Sequence, residues 1–370
     1  MNINRKCKSA VKLVLLIVLY FHPALLYAQS EKNIAAPTII PALQDVINKI
    51  SPTSLKSSIA YLASDVLEGR DTPSRGLDLA ANYIAGQFKA AGLVAVGDDG
   101  YFQTADWNLI NPKNKTGDRQ ALKLPPVKVR NVIGLLPGSD PVLKNTYVIV
   151  SAHYDHLGVQ NGQIYNGAND DASGTASVIE LARVFSSNKN LHKRSIVFIT
   201  FFGEEKGLVG SRYYGASPIF PIENTVAGIN LEQVGRTDDS EGAQIKAAGV
   251  TGLDFSEVGT VIQTAGVLTG VNIWKHPVNS DRYFAFSDNQ ALANQGVPAH
   301  TVSVAYEFPD YHQPGDDSDK IDYENMVYIN RTIAVAVSMI ANDPQAPRWN
   351  AKNPKAKKYL DIWSARKSTQ

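Results

Sequence analysis

The sequence predicts an α/β fold, a sandwich in which a mostly parallel central sheet carries helices on both faces. Two observations predict it. From residue 127 onward, apolar runs of strand length alternate with segments that have helical periodicity. These runs are apolar enough to be covered on both faces, which is typical of parallel sheets. The predicted strands are 129–136, 146–152, 195–202, 226–231 and 299–305.

Apolar residues spaced three and four positions apart predict the helices that cover this sheet. The predicted helices are 51–67, 79–91, 178–185 and 326–340. Gly92 ends the second of them, since glycine is the usual residue just past a helix. Asp171 precedes the third helix and is expected to act as a helix cap.

The composition of the 370 residues is that of an ordinary globular protein. Apolar residues make up 44% and charged residues 19%, which excludes a disordered, collagenous or coiled-coil chain. The 36 basic and 35 acidic residues leave a formal charge of +1. Because nucleic-acid binding requires a basic surface, we expect no nucleic-acid partner.

The first 28 residues have the pattern of a secretory signal peptide. A basic start is followed by the apolar run 13–21 and by the small residue Ala28. That run is short for a bilayer span, and we expect an exported protein, periplasmic or extracellular, without stable membrane insertion after cleavage. The only cysteine, Cys7, lies in this segment, so the mature chain must depend on its core or on metal.

The rest of the chain divides into three predicted parts. Residues 29–126 are expected to form helices and an irregular surface excursion that pack on the main domain, with the helices of 51–95 belonging to that domain. Residues 127–345 form the main domain itself. Residues 346–370 are expected to be a polar C-terminal tail.

Ionisable residues stand immediately after the predicted strands. They are His153 and Asp155, Glu204 and Glu205, Glu232, and His312, and they are joined by Asp170 and Asp171 before the crossover helix. Ligands of open α/β sheets bind beyond the carboxyl ends of the strands, so we expect these side chains to converge there.

This cluster predicts a metal site. Carboxylates packed so closely cannot all stay ionised unless cations compensate them. Imidazole and carboxylate donors without thiolate suit zinc or a similar divalent ion, and a shared carboxylate permits a pair. Adjacent Glu204 and Glu205 are expected to point to opposite sides if the backbone is extended, which would leave one acid free as a base.

Six segments in order carry a resemblance to a known family. They are Ser64 to Arg70, Ser151 to Gly158, Gly167 to Gly174, Phe202 to Glu205, Asn230 to Glu232, and Pro309 to His312 followed by Asp322. With these segments the sequence resembles the zinc aminopeptidases of peptidase family M28. The resemblance implies the α/β sandwich of zinc exopeptidases and two zinc ions, with Co²⁺ or Mn²⁺ as alternatives.

The resemblance also implies a role for each residue of the cluster. His153 and Glu232 would bind one metal, Glu205 and His312 the other, and Asp170 both. Glu204 falls on the general base, and Asp155 on the residue that orients the imidazole of His153. Two positions depart from the common family pattern, because many relatives have aspartate at 232 and histidine at 289.

The resemblance implies a metallopeptidase that removes residues from peptides with a free N-terminus. Tyr283, Phe284 and Tyr306 are candidate walls of the substrate pocket. The remaining histidines, His156, His192, His276 and His300, match no part of the pattern and are expected in the core or at the surface. Three other functions remain open: a glutaminyl cyclase, a carboxypeptidase or dipeptidase on the same scaffold, or an inactive binding module.

Overall fold

The computed structural model describes residues 38–113 and 125–367. The predicted signal segment 1–28 and part of the predicted surface excursion lie outside these residues. No helix in the described ranges has the length and apolar character needed to cross a bilayer.

A nine-stranded, mostly parallel sheet organises the described residues, and the predicted fold class is confirmed. Its strands are β1 (Val94–Ala95), β2 (Phe102–Asp106), β3 (Lys128–Leu136), β4 (Tyr147–His153), β7 (Ser195–Phe201), β8 (Thr225–Leu231), β11 (Ala247–Val250), β12 (Asn272–Trp274) and β13 (Ala299–Ser303). The order is β1-β3-β7-β4-β8-β13-β11-β12, with β2 also paired to β3. Four strands, β7, β4, β8 and β13, run parallel side by side at the centre.

Helices cover both faces of this sheet. They are α1 (Pro41–Ile47), α2 (Pro52–Leu62), α3 (Arg75–Ala91), α4 (Trp107–Ile110), α5 (Gly174–Ser186), α6 (Val209–Ala216), α7 (Glu257–Thr269), α8 (Asn279–Arg282), α9 (Asn289–Ala293), α10 (Tyr323–Asn342) and α11 (Lys357–Lys367). Two short hairpins stand apart from the sheet, β5 (Gly158–Gln160) with β6 (Gln163–Tyr165), and β9 (Asp238–Asp239) with β10 (Gly242–Ala243).

Strand alternation divides the core into one layer on each face of the sheet. In β7, Ile196 and Phe198 pack into the larger layer, which α2, α3, α5, α7 and α10 cover. Val197 and Ile199 point the other way and pack with Tyr214 of α6 in the smaller layer. Because both faces of β7 are buried, its sequence is a continuous apolar run, as predicted.

The predicted strands and helices agree with the structure to within a few residues, but the structure also contains elements that we did not predict. The segment 247–274, for which we predicted no element, forms β11, α7 and β12; its two strands have only four and three residues, too few to show alternation. Strand β2 lies within the predicted surface excursion. The predicted polar tail contains α11, whose Tyr359 is buried and stacks on Trp349 at 5.0 Å between ring centroids.

The topology brings the polar residues together. Strands β7, β4, β8 and β13 are neighbours and point the same way, so the segments that follow their carboxyl ends share one edge of the sheet. The register places His153, the last residue of β4, opposite Phe201, the last residue of β7. The candidate site is built at this edge.

Candidate metal centre

His153 ends β4 with its imidazole fully buried at the floor of the crevice. Its Nε2 lies 3.3 Å from Asp170 Oδ1. On the other side of the ring, Nδ1 lies 3.3 Å from the carbonyl oxygen of Asp155 and 3.5 Å from its Oδ1. One ring nitrogen therefore faces the carboxylates of the crevice and the other faces Asp155, as the resemblance implied.

Asp170 lies in the segment that leads into α5, and other residues fix its backbone. The N–H groups of Asn169 and Asp170 both donate to the buried carboxylate of Asp316, each at 3.0 Å. The neighbouring carboxylate, Asp171, accepts from the N–H of Gly174, the first residue of α5, at 2.9 Å, although the N-cap position itself is Ser173. Asp171 also accepts from the N–H of His153 at 3.3 Å, so it ties this segment to β4.

Glu204 and Glu205 lie on a tight turn and not on an extended strand. The carbonyl oxygen of Glu204 accepts from the N–H groups of Gly207 and Leu208, at 2.8 and 2.9 Å. Strand alternation therefore does not apply, and our expectation that it would separate the two side chains is wrong. The turn itself directs Glu205 toward the histidines, while the N–H of Glu204 donates to Asp155 Oδ1 at 3.1 Å.

Glu232 directly follows β8, and Ser287 holds its carboxylate by donating to Oε2. Ser303 of β13 donates to the carbonyl oxygen of Glu232 at 2.7 Å. Donor atoms of His153, Asp170 and Glu232 all lie within 4.8 Å of one another, so these three residues could hold one metal ion.

His312 approaches the cluster from the loop after β13. Its Nε2 lies 3.2 Å from Asp170 Oδ2 and 3.3 Å from Glu205 Oε1. The ring stacks on Tyr311 with centroids 4.0 Å apart and remains about one-third exposed. The structure thus brings His153, Asp170, Glu205, Glu232 and His312 into one crevice.

Sequence reasoning missed His156. We expected it among the unassigned core or surface histidines, and it is indeed fully buried, but it lies against the cluster. Its Nδ1 is 3.0 Å from Glu205 Oε1. The available signal was its position three residues after His153, directly beyond the end of β4.

The cluster carries a strongly negative potential. Burial raises the pKa of Glu204 well above its usual range and that of Glu232 to about 7, and neighbouring carboxylates add to both shifts. Burial lowers the pKa of His312, but contacts with Asp170 and Glu205 outweigh this and raise it to about 10. A site that draws protons so strongly favours cations, and a metal competes with those protons for the same atoms.

The residues fit a zinc pair. In a tetrahedral zinc site with bonds of about 2.0–2.1 Å, neighbouring donor atoms are about 3.3 Å apart. The contacts of Asp170 with His153 and His312 match this spacing at 3.3 and 3.2 Å. His153 Nε2 and Glu205 Oε1 are buried without a hydrogen-bond partner among the described residues, which is costly unless a cation satisfies them.

The crevice opens into a cavity of about 900 Å³. Tyr283 and Tyr306 line it, and their rings stack with centroids 5.8 Å apart. Phe284 does not, and its assignment to the pocket wall is a correction: its side chain is 2% exposed and packs on Phe255 and Trp349. The short helical turn 283–285 directs neighbouring residues to opposite sides.

Two other residues have structural roles. Asn289, where many M28 relatives have histidine, is buried and joins two elements: its amide donates to the Phe284 carbonyl at 3.0 Å and accepts from Thr301 at 2.9 Å. Arg70 ends the first matching segment and is also fully buried. Its guanidinium donates to carbonyl oxygens of Tyr154, Asn166 and Gly167, so it fixes the loops that carry the site. A role for Arg70 was not predicted.

Sequence comparison adds an observation that is independent of this geometry. The sequence profile of peptidase family M28 matches residues 131–337, more than half of the chain. The chain belongs to peptidase family M28. All five residues that the resemblance named as metal ligands lie within the matched range.

One curated relative and two solved structures show what this chain is similar to. A "Probable zinc metalloprotease" of Pyrenophora teres f. teres is 34% identical over 209 residues, which cover 54% of this chain and 42% of the relative. This chain therefore spans less than half the length of the curated relatives it first matches. An aminopeptidase from Aneurinibacillus sp. strain AM-1 shares the fold, with a TM-score of 0.62, 20% identity, and coverage of 82% of this chain and 97% of its own. Porphyromonas gingivalis glutaminyl cyclase shares the fold at a TM-score of 0.57, with 16% identity and coverage of 78% and 98%.

Proposed function

We propose that the protein is a di-zinc aminopeptidase that removes N-terminal residues from peptides with a free amino terminus. One observation carries the proposal: the carboxylate of Asp170 lies within 3.3 Å of imidazole nitrogens on two sides, beside a partly buried Glu204. The relative named as a zinc metalloprotease and the structural neighbour named as an aminopeptidase support it.

Five side chains would hold the two metals. His153 and Glu232 would bind one zinc, Glu205 and His312 the other, and Asp170 both. These nitrogen and oxygen donors also suit Co²⁺ or Mn²⁺. Zinc is the native metal that we propose. When bound, a zinc pair supplies a Lewis acid and makes water nucleophilic at neutral pH.

Glu204 would perform the proton transfers. It would take a proton from the attacking water and return it to the departing amine. Burial and the neighbouring carboxylates raise the pKa of Glu204, which makes its carboxylate a stronger base. Asp155 would position two partners at once. Its carboxylate accepts from the backbone N–H of Glu204 and lies beside the imidazole of His153, so base and ligand share one support.

The crevice would select the end of a peptide. A free α-amino group is cationic and would be attracted to the excess of carboxylates beside the metals. The first side chain would extend into the cavity that Tyr283 and Tyr306 line, where it would meet apolar ring surface. Internal peptide bonds carry no such charge, which favours cleavage at the first residue.

Substitution of the base tests this proposal. Glu204→Gln should keep two zinc ions per chain and lose about 10²–10⁴-fold in kcat on aminoacyl anilides, since proton transfer contributes that much. Glu257→Gln is the matched control, because Glu257 pairs with Arg348 at the surface of α7. Undiminished turnover by Glu204→Gln would remove the proposed base. An acetylated N-terminus should abolish turnover if the free amine is required.

A glutaminyl cyclase is the second candidate, because a solved cyclase shares this fold almost as closely as the aminopeptidase does. The two reactions release different products. Ammonia released from peptides that begin with glutamine, without hydrolysis of aminoacyl anilides, would favour the cyclase. We expect hydrolysis of aminoacyl anilides and no ammonia release, because a cluster with two donor sets has more ligand atoms than a single zinc ion requires.

We also propose that the protein is exported and that residues 1–28 are removed, on the pattern of the sequence alone. The catalytic domain would then comprise 127–345 together with the helices of 51–95. N-terminal sequencing of material purified from an exporting host tests this, and an intact N-terminus at residue 1 would contradict it.

A further inference from the structure

His156 is the buried group in the crevice that the proposed ligand set leaves unused. Its side chain is completely buried, and neither Nδ1 nor Nε2 has a hydrogen-bond partner among the described residues. A buried polar atom left without a partner costs about 1–3 kcal/mol. Of these two atoms, Nδ1 is the one beside the carboxylates of the crevice, so a cation held there would supply the partner that Nδ1 lacks.

The surrounding backbone holds this imidazole in place. The N–H of His156 donates to the carbonyl oxygen of Arg70 at 3.3 Å. Gly167 faces the ring so closely that a Cβ there would stand 2.4 Å from His156 Cγ, and its φ of +58° also favours glycine. Arg70 in turn fixes Gly167 by donating to its carbonyl oxygen at 3.0 Å. The contacts with Arg70 and Gly167 thus fix the position of the His156 ring.

The ring is aimed at the cluster. Nδ1 lies 3.0 Å from Glu205 Oε1 and 4.0 Å from Asp170 Oδ2. Donor atoms of His156, Asp170 and Glu205 all lie within 4.8 Å of one another, as do those of His153, Asp170 and Glu232. The ring of His156 meets that of His312 edge to face, with centroids 5.8 Å apart. Two imidazoles therefore converge on the side of Glu205, and one on the side of Glu232.

We propose that His156 is itself a metal ligand, through Nδ1, at the subsite of Glu205; this rests on the proposed metal centre. That subsite then has four protein donors, namely His156, Asp170, Glu205 and His312. The other subsite has three protein donors, namely His153, Asp170 and Glu232. Zinc sites with four protein ligands are closed, whereas three ligands leave a position for water or substrate. The two ions are therefore unequal, one held more tightly and the other open to substrate.

Cobalt-loaded protein tests the ligand directly. Imidazoles bound to Co²⁺ give strongly shifted proton NMR signals that identify each coordinated ring. We expect three coordinated imidazoles in the wild type, and two in His156→Gln. His192→Gln is the matched control, because His192 is equally buried but packs on Phe185 outside the crevice; it should keep all three. Two coordinated rings in the wild type, both retained in His156→Gln, would overturn the proposal.

Competition with a chelator gives a second readout. His156→Gln should bind one zinc with unchanged affinity and the other more than about 100-fold more weakly. That exceeds the 10–100-fold typical of a residue that only supports a ligand from outside, so a smaller change would overturn direct coordination. If the wild type binds fewer than two ions, the proposed metal centre fails instead. The ring count in wild-type protein decides the question even if the variant does not fold.

Discussion

His156 and His300 are both completely buried, yet their surroundings are opposite. The ring of His300 has a partner on each side, Ser256 Oγ at 2.6 Å from Nε2 and the Thr251 carbonyl at 2.8 Å from Nδ1. The ring of His156 has a carboxylate beside it and no hydrogen bond among the described residues. Burial alone therefore does not indicate a metal site; a buried imidazole that lacks a hydrogen-bond partner and also faces carboxylates does.

The two regions also differ in charge. Around His300 the neighbours are aromatic, with Phe284 at 5.5 Å and Trp349 at 6.2 Å between ring centroids. The region of His156 contains many buried or half-buried carboxylates, namely Asp155, Asp170, Asp171, Glu204, Glu205, Glu232, Asp288 and Asp316. The polar atoms of the His300 ring are satisfied by protein groups, whereas the carboxylates around His156 favour bound cations.

The largest effect is expected from removing the carboxylate shared by both donor sets. Asp170→Asn should bind fewer than one zinc per chain and lose more than about 10³-fold in activity, because the Lewis acid contributes several kcal/mol to catalysis. Asp322→Asn, which alters a helix cap of α10, should keep both ions. Zinc content by mass spectrometry measures the result, and full zinc content in Asp170→Asn would contradict the shared role.

Substitutions in the aromatic region around His300 should change the free energy of unfolding and leave the zinc content unchanged. Phe284→Ala removes a core side chain and should lower the free energy of unfolding by about 3–5 kcal/mol. Tyr283→Ala, one residue earlier but at the cavity wall, should change KM and leave the unfolding free energy within about 1 kcal/mol. Urea denaturation measures the unfolding free energy, and steady-state kinetics measure KM. If Phe284→Ala changed KM and left the unfolding free energy unaltered, Phe284 would belong to the pocket wall after all.

This pair of neighbours shows where sequence reasoning stops. The central strands could be predicted because long apolar runs indicate burial on both faces. The grouping of His153, Glu205 and Glu232 could be predicted because these residues follow such runs. The direction of Tyr283 and Phe284 could not, since it depends on Trp349 and Tyr359, which are distant in sequence. His156 was overlooked for a similar reason. Only the folded structure shows that its two ring nitrogens lack hydrogen-bond partners among the residues described and that Nδ1 faces Glu205.

Acid should affect the two regions through different groups, and His300 allows a clean test. Burial lowers its pKa to about 4, from an ordinary value of 6.5. The unfolded chain therefore binds the extra proton first, and stability is lost as the pH falls from 6.5 toward 4. The loss is at most about 3 kcal/mol.

His300→Gln removes this part of the pH dependence, although it also weakens the protein at neutral pH. The measurement is the difference in unfolding free energy between wild type and His300→Gln at pH 7 and pH 4.5. We expect that difference to shrink in acid. A difference that is constant with pH would show that the His300 imidazole has the same pKa in the folded and the unfolded chain.

The smallest predicted effect comes from Asp155, which contacts the His153 ring and the Glu204 backbone and lies outside the proposed ligand set. Asp155→Asn keeps the size of the side chain and an oxygen to accept from the Glu204 N–H, but removes the charge beside His153 Nδ1. Zinc affinity should fall by about 10–100-fold, as is typical when a carboxylate behind a histidine ligand is lost. Asp140→Asn, in an exposed turn, should leave affinity unchanged. An affinity of Asp155→Asn within twofold of wild type would mean that the backbone carbonyl, 3.3 Å from the same nitrogen, orients the imidazole by itself.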